Sequence, residues 1–284
     1  ALLLEAVDAA RKADVVIFVG GLNKNENQDC EGADRRSLNL PYGQDELIGE
    51  LARVNRNLVA VIISGNAVAM PWVNEVPAIV EAWYGGTEAG NAIASVLAGE
   101  VNPSGKLPFT FPVRLEDNPA IALDAYPGDG KQVEYKEGIF VGYRWNDRER
   151  IKPLFCFGHG LSYTTFEYGK VTAEGRQMGP DGTITVSVPV KNTGSRAGAE
   201  IVQLYVSDLK SSLPRPVKEL KGFRKITLQP GQEQTVSFTI DRKALSFYDD
   251  TKQDWVAEPG TFEALVGASA CDIRGKAAFE LTAR

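Results

Sequence analysis

Between Gly20 and Arg35 the chain reads Gly-Gly-Leu-Asn-Lys-Asn-Glu-Asn-Gln-Asp-Cys-Glu-Gly-Ala-Asp-Arg, so that Glu26, Asp29, Glu31 and Asp34 fall within nine residues, with Arg36 next. Carboxylates crowded in this way can be held close together and their proton affinities driven apart, which is what acid/base chemistry uses. A general acid that cleaves an acetal must keep its proton near neutral pH and then pass it to a leaving oxygen. Glu31 suits that part best: Asp29 and Asp34 supply like charge, and Gly32 lets the backbone come close to a ligand. The same spacing also fits a solvated loop whose acids pair with Arg35 and Arg36, and most carboxylate clusters on loops are of that inert kind. Spacing alone leaves both readings standing.

Other chemistries have little to work with. The chain holds one histidine, His159, and three cysteines, Cys30, Cys156 and Cys271. Three scattered cysteines are too few for a disulfide framework or a zinc site, so no metal is expected. Cys30, with no histidine nearby in sequence, reads as a small packing residue. His159, between Gly158 and Gly160, reads as packed or hydrogen-bonded and not as a base. Ser64-Gly65-Asn66 and Tyr84-Gly85-Gly86-Thr87 lack the G-x-G-x-x-G and P-loop patterns, which favours tight turns over a nucleotide site and implies no cofactor. Trp72, Trp83 and Trp145 fit sugar stacking and core packing equally well.

The elements that would position the loop follow from hydrophobic period. Helical spacing over residues 1–12 leads into Val15-Val16-Ile17-Phe18-Val19, short and apolar enough for a buried parallel strand. Pro41-Tyr42-Gly43-Gln44 opens a helix with Leu47, Ile48, Leu51 and Val54 on one face, and Leu58 to Ile63 reads as a second buried strand. Ala78 to Tyr84 reads as a third, with Thr87 capping the helix that runs to Leu97. Strands alternating with helices imply a mostly parallel sheet covered on both faces, with the acidic loop at a strand's C-terminal end, where such sheets place ligands. From Asn102 prolines accumulate, and residues 126–165 read as an extended connector between a first domain over 1–125 and a second over 166–284. In the second, period-2 runs separated by Asn192-Thr193-Gly194, Pro230-Gly231 and Pro259-Gly260 predict about seven strands of an immunoglobulin or fibronectin type III-like β-sandwich.

Composition is that of a globular protein, with 43% hydrophobic and 24% charged residues. No apolar run approaches the ~18 residues of a membrane span. A net charge of -6 argues against nucleic acid or an anionic membrane and suits a neutral substrate such as a sugar. The first residues, Ala1 to Val7, have no basic flank or cleavage-like site and read as a helix already under way inside a longer parent.

The ordered motifs Gly21-Leu22-Asn23, Asp29-Cys30-Glu31-Gly32-Ala33-Asp34-Arg35, Leu40-Pro41 and Gln44 resemble the C-terminal α/β sandwich domain of glycoside hydrolase family 3. So do Asn102 to Pro108 with Phe111-Pro112, Tyr135 to Arg144, and Phe157 to Thr164. Glu219 to Phe223 and Pro230-Gly231 resemble the fibronectin type III-like domain that follows in many members. The resemblance implies a retaining, exo-acting β-glycosidase, most often a β-glucosidase, working on β-linked glucosides or short oligosaccharides without a cofactor. It places the acid/base on Glu31, with Glu26 the runner-up, and the aspartate nucleophile on an N-terminal (β/α)8 barrel that this chain does not contain. Arg35 would steady the loop, and Asn23 and Gln28 would shape the leaving-group side. The chain is then expected to be inactive alone, either the C-terminal part of an enzyme or one half of a two-chain site, and a homodimer through the sandwich or connector stays open. A periplasmic or secreted location follows from the same resemblance. Against this stands a non-catalytic carbohydrate-binding or scaffolding module whose loop acids are structural.

Overall fold

The computed structural model describes residues 1–283, which form two compact units, one of residues 1–100 and 111–117 and one of residues 101–110 and 118–283. In the first unit, helix α1 (Leu2–Lys12) leads into strand β1 (Val16–Gly21), then α2 (Gln44–Val54), β2 (Leu58–Ile63), β3 (Ala78–Glu81) and α3 (Ala89–Leu97). The strands form a parallel sheet in the order β1-β2-β3, with Val16 opposite Leu58 and Val59 opposite Ala78. Helix α2 sets Ile48, Leu51 and Ala52 into the core, and Asp45 and Glu46 in its first turn oppose the positive end of its dipole. The Asn55 amide donates to Ala10 O (2.9 Å) and Ala13 O (2.8 Å), closing the carbonyl end of α1.

Two expectations change here. The run around Val16–Val19 is buried on one face only: Phe18 is buried, while Ile17 and Val19 are about half exposed. An edge strand has a helix on one side of it, and Gly20 with Phe18 faces Gln44 of α2. The third strand stops at Glu81 because Trp83 takes a left-handed conformation (φ 53°), which turns the chain out of the sheet.

The second unit begins with the short α4 (Pro119–Ala122) and α5 (Tyr143–Glu149), the latter a helix inside the stretch read as extended. Then follow β4 (Phe166–Tyr168), β5 (Thr172–Ala173), β6 (Gln177–Met178), β7 (Thr183–Asn192), β8 (Gly198–Asp208), β9 (Glu219–Leu228), β10 (Glu233–Asp241), α6 (Arg242–Leu245), β11 (Phe247–Asp249), β12 (Asp254–Val256), β13 (Gly260–Ser269) and β14 (Asp272–Leu281). One sheet runs β10-β7-β4 with β5 also on β7, the other β6-β14-β13-β8-β9. Strand β7 alternates strictly, with Ile184, Val186, Val188 and Val190 buried, and meets Val202, Leu204 and Val206 of β8 and Phe262, Ala264 and Val266 of β13 in one core.

The motif-bearing turns at the start of this unit interlock. Leu107 N–H donates to His159 O and Gly158 N–H to Leu107 O, both at 2.8 Å. Lys106 ion-pairs with the buried Glu200 (2.9 Å) and donates to Gly160 O (2.8 Å). Asn102 accepts from Ser162 Oγ (2.9 Å) and Tyr163 N–H (2.8 Å). Gly158 (φ 80°) has no room for a side chain, since a Cβ would lie 2.3 Å from Gln203 Oε1. His159 stacks on Phe155 at 5.3 Å, and burial followed by the Lys106 charge lowers its pKa, so it is a neutral packed residue.

The cysteine reading is corrected: Cys156 and Cys271 form a disulfide with Cα atoms 6.0 Å apart across 115 residues of sequence. Sequence spacing could not show it, because the β-sandwich brings the start of this unit against the β13–β14 turn, where Ala270 N–H donates to Phe157 O (3.0 Å). Closing so long a loop stabilises a fold by roughly 2–4 kcal/mol. Cys271→Ser is therefore expected to lower the unfolding midpoint of this unit, and a reductant is expected to do the same to the parent and nothing further to the variant, as read by thermal unfolding followed by circular dichroism.

Candidate functional site

The C-terminal ends of β1, β2 and β3 lie side by side, and the loop of residues 22–43 is tied to them. At the end of β1, Gly21 (φ 138°) comes so close to β2 that a Cβ would sit 2.0 Å from Ile63 O. The Gln44 side chain brackets the same residue, accepting from Gly21 N–H (2.7 Å) and donating to Gly21 O (2.9 Å). Inside the loop, Gln28 is buried and accepts from Asn23 N–H (3.0 Å) while donating to Tyr42 OH (3.0 Å). The Asn23 side chain accepts from Asn25 N–H (2.8 Å). Both amides act here as braces of the loop.

Glu31 sits at the loop's tip. An isolated antiparallel bridge joins Cys30 to Ala33, which makes Glu31 and Gly32 the two central residues of a tight turn. Gly32 has φ 85°, the left-handed value that favours glycine at the second central position. Cys30 Sγ donates to Ala33 O (3.4 Å), a packing role as read from sequence. Glu31 is exposed and, among the described residues, its carboxylate has no hydrogen-bond or ion-pair partner. Glu26 is also exposed and lines an open cavity of about 500 Å³ with Leu22, Asn27, Arg35 and Arg36.

Asp29 is tied to the strand ends. Its Oδ2 accepts from Gly65 N–H (2.6 Å), just beyond β2, and from Tyr84 OH (2.8 Å), beyond β3. Its Oδ1 faces Arg35 Nε at 3.9 Å with both side chains buried, and Arg35 Nη2 donates to Ala67 O (2.6 Å). Removal from water lowers the Arg35 pKa, with the Asp29 charge opposing that shift. Partial burial and then the Asp29 carboxylate push the Tyr84 hydroxyl up to about 12, so it stays a proton donor to Asp29.

Sequence reasoning missed a second acid nearby. Glu81, at the end of β3, accepts from Ser64 Oγ (3.2 Å) and Trp83 N–H (3.3 Å), while its Oε2 is buried with no partner. Burial pushes its carboxyl up to about 7, with those bonds only partly offsetting the cost. Ser64 Oγ also donates to Asn66 O at 2.8 Å, and one hydroxyl proton serves one acceptor, which suits a protonated Glu81. The signal available for Gly65, Glu81 and Tyr84 was position, since all three stand at the C-terminal ends of parallel strands. Asp45 was passed over as well: it accepts from Trp72 Nε1 (2.8 Å) and Leu40 N–H (3.0 Å), and burial raises its pKa. Trp72 and Trp145 are buried and cannot stack on a sugar. No cluster of metal-ligand side chains occurs among the described residues, and no helix there is long and apolar enough to cross a membrane.

A parallel α/β sheet with a loop-borne carboxylate at its strand ends, followed by a fibronectin type III-like sandwich, defines the class. The family model of the glycosyl hydrolase family 3 C-terminal domain matches residues 1–143, and that of the fibronectin type III-like domain residues 200–270. The chain belongs to glycosyl hydrolase family 3. It is 59% identical over 278 residues to the beta-glucosidase BoGH3A of Bacteroides ovatus, covering 97% of this chain and 37% of that protein. It is 49% identical over 272 residues to the thermostable beta-glucosidase B of Acetivibrio thermocellus, covering 96% of this chain and 36% of the relative. The crystal structure of the beta-glucosidase from Kluyveromyces marxianus in complex with glucose superposes with a TM-score of 0.91 at 41% identity, over 99% of this chain and 33% of that one. The chain thus spans little more than a third of the length of the curated relatives it matches.

The Glu81 carboxyl makes stability depend on pH in a defined direction. Its ordinary value is 4.5 and its folded value about 7, so between those limits the folded protein holds a proton that the unfolded chain has released. Stability is then undiminished below about 4.5, falls as pH rises towards 7, and levels beyond it. Glu81→Gln keeps the acceptor for Ser64 and Trp83 without a titrating group. Thermal unfolding from pH 4.5 to 8 should show a shallower decline in the variant than in the parent.

Proposed function

We propose that this chain supplies the acid/base half of the active site of a retaining, exo-acting β-glycosidase, a β-glucosidase by the activity its relatives are named for. The observation that carries the reading is the placement of Glu31: a central residue of a tight turn, exposed and, among the described residues, with no hydrogen-bond or ion-pair partner, on a loop that Gln28, Asp29 and Arg35 hold in place. In this reading Glu31 donates its proton to the glycosidic oxygen as the bond to the leaving group breaks, then removes a proton from the water that opens the glycosyl-enzyme. The nucleophile is an aspartate on a preceding (β/α)8 barrel, within about 5 Å as retaining chemistry requires. Substrates are β-linked glucosides or short oligosaccharides.

In the complete protein, Glu31→Gln is expected to lower kcat/KM for alkyl glucosides by roughly 10²–10⁴-fold. Aryl glucosides whose leaving group needs no proton should lose far less in the first chemical step. Azide should restore turnover of those activated substrates and yield the β-glycosyl azide, since a small anion needs no general base. A variant as active as the parent on both substrate types would remove Glu31 from the mechanism.

A further inference from the structure

The turn that carries Glu31 is held at both feet by buried charge. On one side, two residues before Glu31, Asp29 grips Gly65 N–H (2.6 Å) and Tyr84 OH (2.8 Å). On the other, four residues after it, Arg35 donates to Ala67 O (2.6 Å) and faces Asp29 at 3.9 Å, the two side chains being 8% and 10% exposed. Those contacts reach three points beyond the ends of β2 and β3, so they fix the loop to the rigid sheet and not merely to itself. Gly65 belongs to the arrangement, because a Cβ there would lie 2.9 Å from the Tyr84 ring and 3.3 Å from Asp29 Oδ2. No other carboxylate of the loop reaches the sheet: among the described residues, Glu26, Glu31 and Asp34 make no hydrogen bond or ion pair.

From this geometry we infer that Asp29 is a positioning residue for acid/base catalysis, fixing the Glu31 carboxyl against the departing oxygen through its grip on Gly65, Tyr84 and Arg35. The inference rests on the reading of Glu31 as the acid/base. The physical argument concerns direction. Proton delivery depends steeply on placement, and a displacement of about 1 Å can cost ~10²-fold in rate. A short turn with a glycine at its second central position has no stiffness of its own beyond its feet, so the aim of Glu31 is set where those feet are tied. Charge-assisted hydrogen bonds from a backbone N–H and a tyrosine hydroxyl to one carboxylate are the strong, short kind that can do this. Asp29 does not touch the substrate in this scheme and moves no proton. Tyr84 contributes a single bond to the same carboxylate, so its removal should weaken the clamp without opening it.

The test separates positioning from general damage by leaving-group dependence in the complete protein, with active sites counted by a mechanism-based glycosyl fluoride so that misfolded molecules drop out. Asp29→Asn keeps the shape and one acceptor but loses the charge facing Arg35. It is expected to lower kcat/KM on alkyl glucosides by about 10–100-fold, to change kcat/KM on activated aryl glucosides by less than about 3-fold, and to steepen the dependence of kcat/KM on leaving-group pKa. Tyr84→Phe, which leaves Asp29 in place should the first variant fail to fold, is expected to shift the same slope in the same direction by a smaller amount. Equal losses on all substrates, or none, in both variants overturn the positioning role. Where Glu31→Gln shows the leaving-group dependence and the Asp29 and Tyr84 variants do not, only the present inference falls. Where Glu31→Gln is silent, the acid/base reading falls and this inference with it, whatever the Asp29 variants do.

Discussion

The Asp29 carboxylate is where the ends of two strands meet the loop that they carry. It accepts from the backbone just past β2 and from a tyrosine just past β3, and it faces a buried arginine that reaches the backbone again at Ala67. Polar loops outside a sheet have little apolar surface to bury, so their shape depends on such specific bonds. Here the bonds converge on one side chain because the parallel order β1-β2-β3 brings all three strand ends to the same edge. Gly21 and Gly65 make the convergence sterically feasible, and Gln44 secures the loop's entry. The acidic cluster thus divides its labour: one carboxylate is engaged as an anchor, and among the described residues the other three make no hydrogen bond or ion pair.

That division explains what composition could not. A proton donor has to be held still and yet keep its lone pairs uncommitted, which are opposing demands on one short loop. In the role proposed for Glu31, the loop would meet them with contacts at residues 29 and 35 and, among the described residues, none at the carboxylate of 31. Glu81 lies behind this arrangement as a buried acid with a raised pKa, close enough to Asp29 for the two charges to oppose each other. A neutral Glu81 spares Asp29 that repulsion, which couples the protonation of the sheet end to the electrostatics of the loop foot.

The second unit shows how far a specific motif can be from chemistry. Asn102 to Pro108 and Phe157 to Thr164 are among the most recognisable stretches of the chain, and in the structure they hold each other: Leu107 pairs with Gly158 and His159, Lys106 plugs onto Glu200, and Asn102 caps Ser162 and Tyr163. His159, which could have been taken for a base, is stacked, half-buried and neutral. Its flanking glycines are there because Gln203 and Gly105 leave no room for a Cβ. Motif strength reports constraint, and here the constraint is close packing.

Several features were open to reading from one dimension. Apolar runs at Val16–Val19 and Leu58–Ile63 marked parallel strands, the alternation in Thr183–Asn192 marked a sandwich strand, and the order of motifs around Glu31 marked the family. These are local, since hydrophobic period and turn chemistry are written in neighbouring residues. What only the tertiary structure decided involves partners far apart in sequence. Asp29 reads as one more loop acid until Gly65 and Tyr84 are folded against it, 36 and 55 residues away. Cys156 and Cys271 read as unrelated until 115 residues of sandwich bring them together. Glu81 reads as one polar residue inside a strand until its carboxyl is buried behind Ser64. Residue type and spacing determine which groups can act, but burial and long-range contact determine which of them are tied down and which stay free, because charge interacts through space and not along the chain.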